Sequence, residues 1–286
     1  MTIKKIAWIT DSTAYMTKDL IDHPDVYVVP LEIIFGTDAF QDGIDLNTEE
    51  LYSRIRSEKE IPKTSQPSSG KFASLFENLK EEYDGAIAVH ISTKLSGTLS
   101  SCKAGSDMAG FHLETVDSRS MGYAITSLLK MGITMASEGM DLDKIAATLR
   151  HEVENLENYI LLGSLDQFYK GGRMSGTAYL LGSILQIKPI IRMNRNGEFE
   201  LFEKVRSEKK AVNRLIELLD ENYQQYKISE IQIMHGNVLQ KAKDLESRIN
   251  KEFPDLKIVI GEISSTIAVH SGEGTLAIQF HKEGKK

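Results

Sequence analysis

Residues 85–109 read GAIAVHISTKLSGTLSSCKAGSDMA. The run GAIAVHI is short, apolar and bounded by polar residues, which predicts a buried strand. LSSCKAGSDMA predicts a helix. Between them Ser92 to Thr98 place hydroxyls and a glycine where strand becomes helix. That join has two readings. Ser and Thr cap the free N–H groups of a first helical turn, and Gly relaxes the bend. The same N–H groups, with the helix dipole, attract an anion. Both readings stay open at this point.

The same strand–turn–helix unit recurs on either side. KIAWIT (5–10) predicts a strand ended by Asp11, Ser12 and Thr13, and VYVVPLEIIF (26–35) predicts a second. Asn47 with Glu50 fits a capping box at the head of a helix. IPKTSQPSSG (61–70) reads as a loop by composition. Phe72, Leu75, Phe76 and Leu79 share one helical face. HLETVD (112–117) predicts another strand, and SMGYAITSLLKMGITMA (120–136) a largely buried helix. Asp141 caps a further helix, taken as the bridge between domains. Strands alternating with helices argue for an N-terminal α/β domain, a parallel sheet in a three-layer arrangement, over 1–157.

From 158 to 286 the pattern changes to a C-terminal α+β domain with a mixed sheet. YILLGSL (159–165) predicts a strand, and residues 166–185 a loop and helix. KPIIRMNRNGEFELFEKV (188–205) predicts a hairpin with Asn196 and Gly197 as a type I′ turn. Helices over 207–223 and 238–253 alternate with strands EIQIMH, LKIVIGEIS and GTLAIQFH. AVHSGEG (268–274) reads as a Gly-rich turn that holds His270.

Bulk properties exclude several classes. The chain has 286 residues and a net charge of −7, which disfavours nucleic acid as the main partner. A single cysteine, Cys102, cannot form an internal disulfide and reads as a buried structural thiol in a reducing cytoplasm. The N-terminus lacks the apolar run of a signal peptide, and no uncharged stretch reaches membrane-spanning length. Gly70-Lys71 lacks the remainder of a Walker A loop, and no G-x-G-x-x-G opens the first strand–helix turn. The seven histidines show no metal-ligand spacing, so no metal and no cofactor are expected. Polar clusters at Asp11–Thr13, Ser92–Thr98 and Asp117-Ser118 fall at predicted carboxyl ends of strands, where open α/β sheets bind ligands.

Five segments, in order, carry a resemblance: ITDSTA (9–14), KTSQPS (63–68), ISTKLSGT (91–98), FYKGGRMSG (168–176) with LQIKPII, and AVHSGEGTLAI (268–278). Together they resemble the DegV family, over essentially the whole chain. One departure is Glu273, where the family's closing motif usually has Pro. The resemblance implies two domains with a long-chain fatty acid between them. It implies that Thr64, Ser96 and His270 bind the carboxylate, with backbone N–H groups of Gly97 and Thr98. AYLLGSILQIKPII (178–191) would contribute to the tail tunnel. Arg173, expected on an exposed loop, would contact a partner kinase or the phosphoryl group. The implied protein is a cytoplasmic carrier and not itself an enzyme. Its partners would be an ATP-binding fatty acid kinase subunit and an acyltransferase, with transient membrane contact. Two other readings stay open: an enzyme for a small carboxylate or phosphorylated metabolite, with Asp11 and His270 as acid and base, and a ligand-responsive regulator.

Overall fold

A computed structural model describes residues 5–58, 61–173 and 187–286. The N-terminal unit is built on four parallel strands in the order β2-β1-β6-β7. They are β1 (Ile6–Asp11), β2 (Val26–Val29), β6 (Gly85–His90) and β7 (Leu113–Asp117). β1 is buried on both faces, as a central parallel strand covered by helices must be. Ala7 and Ile9 face helices α3 (Ser69–Leu79) and α4 (Thr98–Ala109), where they meet Phe72, Phe76 and Cys102. Ile6 and Trp8 point the other way, toward Leu128, Leu129 and Ile145 of α5 (Tyr123–Ser137) and α6 (Leu142–Glu152). This is the expected three-layer α/β arrangement.

A small antiparallel sheet in the order β4-β3-β5 stands apart from the first. It comprises β3 (Glu32–Phe35), β4 (Asp38–Gln41) and β5 (Lys63–Ser65). VYVVPLEIIF is not one strand: β2 joins the parallel sheet and β3 the small one. Pro30 lies between them, and it has no N–H with which to continue a ladder. The KTS of the predicted loop is strand β5, paired with β3 at Thr64 and Ile33. The Asn47–Glu50 capping box is present at the head of α2 (Thr48–Glu58), each residue accepting the other's backbone N–H. Asp141 occupies the N-cap of α6 without a side-chain cap bond.

The C-terminal unit holds a mixed six-stranded sheet, β10-β9-β8-β13-β11-β12. Its strands are β8 (Leu156–Leu161), β9 (Lys188–Met193), β10 (Phe199–Val205), β11 (Glu230–His235), β12 (Lys257–Glu262) and β13 (Leu276–His281). Helices α8 (Glu208–Gln225) and α9 (Leu239–Glu252) cover one face through Leu215, Leu219, Leu245 and Ile249. The opposite face presents Ile160, Ile191, Met234 and Ala277, which merge with the N-terminal core into one apolar cluster. The two units therefore share a buried seam, and the hairpin β9–β10 helps close it. Ser92 Oγ donates to the Gly197 carbonyl at 2.7 Å.

That hairpin does not turn on a type I′ dipeptide. Asn194 accepts from Gly197 N at 2.9 Å and donates to Glu198 O at 2.8 Å, and only Gly197 has positive φ (+79°). The connection is a three-residue loop with glycine at the left-handed position. A side chain at 197 would also collide with Ser92, so both conformation and close approach require glycine there.

Candidate functional site

The rim at the carboxyl ends of β1, β6 and β7 sorts its polar residues into two uses. Asp11 is fully buried and accepts from Thr13 N, Ile91 N and His90 Nδ1 at 2.9–3.0 Å. Desolvation would raise its pKa, but these hydrogen bonds and the His90 imidazole lower it overall. Asp117 accepts from Thr93 Oγ1 at 2.6 Å and from Arg119 N at 2.8 Å. Both aspartates are consumed in holding the loops. Ser96 and Gly97 are left facing a cavity.

That cavity has a volume of about 470 Å³ and lies between the two units. Its polar wall comes from widely separated segments. Thr64 on β5 meets His270 Nε2 at 2.9 Å. Ser96 Oγ bonds Thr98 Oγ1 at 2.8 Å. Gln66 donates to Ser101 Oγ at 2.7 Å and presses against Gly97. Arg173 donates to the carbonyls of Leu95 (3.4 Å) and Gly171 (2.7 Å). The rest of the wall is apolar, with Ile91, Leu162, Phe168, Phe199 and Met234 among its members.

The capping reading of the Ser92–Thr98 loop fails. The N-cap of α4 is Gly97, and no side chain caps the helix. Ser96 and Thr98 bond each other instead. The hydroxyls are therefore not spent on capping, which leaves the anion reading of this loop standing.

Of the site residues read from the sequence, Thr64, Ser96, Gly97, Arg173 and His270 all line the cavity. Thr98 does not. It is fully buried behind the wall and supports the Ser96 hydroxyl. His270 is not in a turn but in the last turn of a short helix, α10 (Ser265–Ser271). A seven-residue helix rich in Ser, Thr and branched residues has little intrinsic stability, so its pattern did not register. Arg173 is half-buried rather than exposed, because its guanidinium is drawn onto two inward carbonyls. Of the tail segment 178–191, residues 178–186 lie outside the described ones; Ile191 belongs to the shared core. Gln66 belongs to the KTSQPS segment, and its contact with Gly97 depends on two segments meeting in space.

The electrostatics suit a neutral donor set beside one cation. Burial, with the Arg173 charge as a second cause, pushes the His270 imidazole down to about 3. His270 is thus neutral near pH 7. Among the described residues Arg173 meets carbonyl oxygens and no carboxylate. No carboxylate of the described residues offsets its positive charge at the polar end of the cavity. Glu273 does not disturb this: its carboxylate is taken by Arg56 Nη1 at 2.7–2.8 Å and Asn237 Nδ2 at 2.7 Å. Cys102 is fully buried and its thiol is pushed up by desolvation, as a structural thiol would be.

The sequence profile described as "Uncharacterised protein, DegV family" matches residues 5–283. The chain belongs to the DegV family. A DegV domain-containing protein of Listeria monocytogenes is 32% identical over 279 residues, covering 97% of this chain and 98% of that one. Among solved structures, a DegV family protein from Streptococcus agalactiae, described as fatty acid binding, superposes with a TM-score of 0.91 at 30% identity. The match covers 98% of this chain and all of that one. DegV from Bacillus subtilis, described as a fatty acid binding protein, gives a TM-score of 0.89 at 28% identity, with 98% and 100% coverage. In this DegV chain no helix of the described residues is long and apolar enough to cross a membrane.

Proposed function

We propose that this protein is a carrier that holds a long-chain fatty acid between a unit of residues 1–157 and one of 158–286. It presents the carboxyl group to a separate ATP-binding kinase for acyl-phosphate formation, and an acyltransferase consumes the product. The observation that carries the reading is the cavity itself: about 470 Å³ with a largely apolar wall, ending in Thr64, Ser96, His270 and an Arg173 that meets no carboxylate among the described residues. An amphiphile with one anionic end suits that division, and two solved relatives are described as fatty acid binding.

The energetics divide the labour. At about 0.8 kcal/mol per buried CH₂, a chain of about fifteen methylenes contributes roughly 12 kcal/mol gross. Each head-group hydrogen bond adds about 1–3 kcal/mol before desolvation. Affinity therefore resides in the tail and orientation in the head. Ser96 and Thr64 hydroxyls, the His270 ring and the Gly97 N–H group are the proposed carboxylate donors, with Thr98 holding the Ser96 hydroxyl. Arg173 steadies the carboxylate or the incoming phosphoryl group. A cytoplasmic setting, with brief membrane contact for loading, belongs to the same reading and suits a lone buried thiol.

An acid–base enzyme using Asp11 with His270 is disfavoured. Asp11 is locked in its buried pair with His90 and does not line the cavity.

Solvent extraction of the purified protein, followed by mass spectrometry, tests the carrier. Bound acyl chains are expected, and added palmitate should raise the melting temperature. No acyl chain and no shift would defeat the reading. Hydroxylamine trapping then tests the kinase step: acyl phosphate should form only when kinase and ATP are both added.

A further inference from the structure

The helix that carries His270 is held from the other unit. The N–H groups of the first three residues of α10, which have no partner within a helix, all have acceptors. Ser264 Oγ takes Ile267 N at 3.4 Å. The other two go to one side chain of the N-terminal unit. Asp42 Oδ1 accepts Ser265 N at 3.1 Å, and Asp42 Oδ2 accepts Thr266 N at 3.2 Å. Asp42 follows β4 and is 3% exposed. A second bond runs the same way, from Thr48 Oγ1 to Ile263 O at 3.3 Å, just ahead of the helix.

We propose that Asp42 is a positioning residue for the head-group site: its carboxylate clamps the first turn of α10 and so holds His270 against Thr64. This rests on the fatty-acid reading above. The physical basis is direct. A carboxylate at a helix N-terminus meets both the free N–H groups and the positive end of the dipole, and these hydrogen bonds oppose the rise in pKa that burial imposes on Asp42. α10 has only seven residues, so a shift of its first turn is transmitted to His270 in its last. Thr64 and Asp42 both lie on the small β4-β3-β5 sheet or its margin. The same rigid piece therefore supplies the hydroxyl that meets His270 and the carboxylate that anchors its helix. No sequence pattern signals this, since Asp42 and Ser265 are 223 positions apart.

Asp42→Asn tests the proposal in the full chain. It keeps the shape but sets an amide donor against one of the two N–H donors. Three readouts are taken: affinity for palmitate, affinity for methyl palmitate, and the ¹⁵N resonances of the His270 ring in ligand-free protein. A positioning role predicts that the preference for palmitate over its ester falls about tenfold, a loss on the scale of one charged hydrogen bond. Ester affinity should change less than about twofold, since the tail dominates it, and the His270 resonances should move. Ser265→Pro is the second variant, removing one of the two bonds from the opposite side. Proline is tolerated at a first helical position, and Ser264 already has the extended backbone (φ −64°, ψ 157°) that precedes proline. Unchanged His270 resonances in whichever variant folds would overturn the proposal, as would an equal loss for acid and ester. If the wild type itself shows no preference for the acid, the carrier reading fails. The resonances of ligand-free protein still judge Asp42 in that case.

Discussion

Thr64 Oγ1 lies 2.9 Å from His270 Nε2, although the two residues are 206 positions apart. One sits on a strand of the N-terminal unit and the other on a helix of the C-terminal unit. The bond closes the polar end of the cavity across the seam.

Thr64→Val removes that hydroxyl while keeping its volume. The expected loss is about 1–3 kcal/mol in palmitate affinity and little in that of the methyl ester. The effect should be non-additive with His270→Gln, since the two residues are in contact. Titration of both ligands against the four proteins of the cycle is the check, and strict additivity would separate the residues functionally.

His270 makes a signed pH prediction. Burial first, and Arg173 second, lower its folded pKa to about 3 from the ordinary imidazole value of 6.5. Between these limits the unfolded chain binds a proton that the native state does not. Stability contributed by the neutral ring is therefore present above pH 6.5 and is lost as pH falls toward 3. The slope is about 1.4 kcal/mol per pH unit for one group. Urea unfolding at pH 7 and pH 5 should show a smaller acid loss for His270→Gln than for wild type. Equal losses would contradict the assignment.

Asp11 should govern stability rather than ligand binding. Asp11→Ala strands His90, Thr13 N and Ile91 N without their acceptor in a fully buried site. A cost of about 3–5 kcal/mol is expected in chemical denaturation. Asp11→Asn, which keeps one acceptor, should cost less. Palmitate affinity per folded molecule should stay within about threefold for either, a bound of under 1 kcal/mol. A folded variant that fails to bind would return Asp11 to the site.

Two glycines beside the head-group residues, Gly97 on the cavity wall and Gly171 packed against His270, should behave differently. A methyl group at Gly171 would come within 2.2 Å of His270 Nδ1, so Gly171→Ala must displace a packed ring. At Gly97 the same methyl meets the end of the Gln66 side chain, which can swing away. Gly171→Ala should abolish most of the preference for acid over ester, and Gly97→Ala should keep the larger part. Competition between palmitate and methyl palmitate reads this, and the reverse order would contradict it.

Arg173→Ala should leave the tail contacts intact yet lose most acyl-phosphate formation in the presence of kinase and ATP. Because Arg173 is half-buried on two carbonyls, added salt should weaken its local effect less than it would an exposed charge. Hydroxylamine trapping at low and high ionic strength measures both. Wild-type turnover by the variant would remove Arg173 from the phosphoryl step.

Local pattern sufficed wherever a segment's own side chains dictate its conformation. The buried run of β6, the Asn47–Glu50 box and the apolar face of α3 needed no distant partner to be recognised. Elements were missed where the deciding contact is remote. β5 pairs with β3, and the first turn of α10 finds its acceptors on Asp42. VYVVPLEIIF has the pattern of one strand, and its divided sheet membership on either side of Pro30 is a tertiary fact.

The amino-acid order alone determined the alternation of strands and helices, the change to a mixed sheet in the second half, and the motifs that carry the family. The resemblance those motifs carry also pointed to Thr64, Ser96, Gly97, Arg173 and His270. Only the tertiary structure decided that these five share one cavity wall while Thr98 stands behind it. It likewise decided that Asp11 belongs to His90 and that Arg173 turns inward. The reason is physical. Periodicity and capping act over a few residues, so the chain records them locally. Burial, charge pairing and hydrogen-bond partnership across the seam depend on which segments meet in space, and no short stretch contains that information.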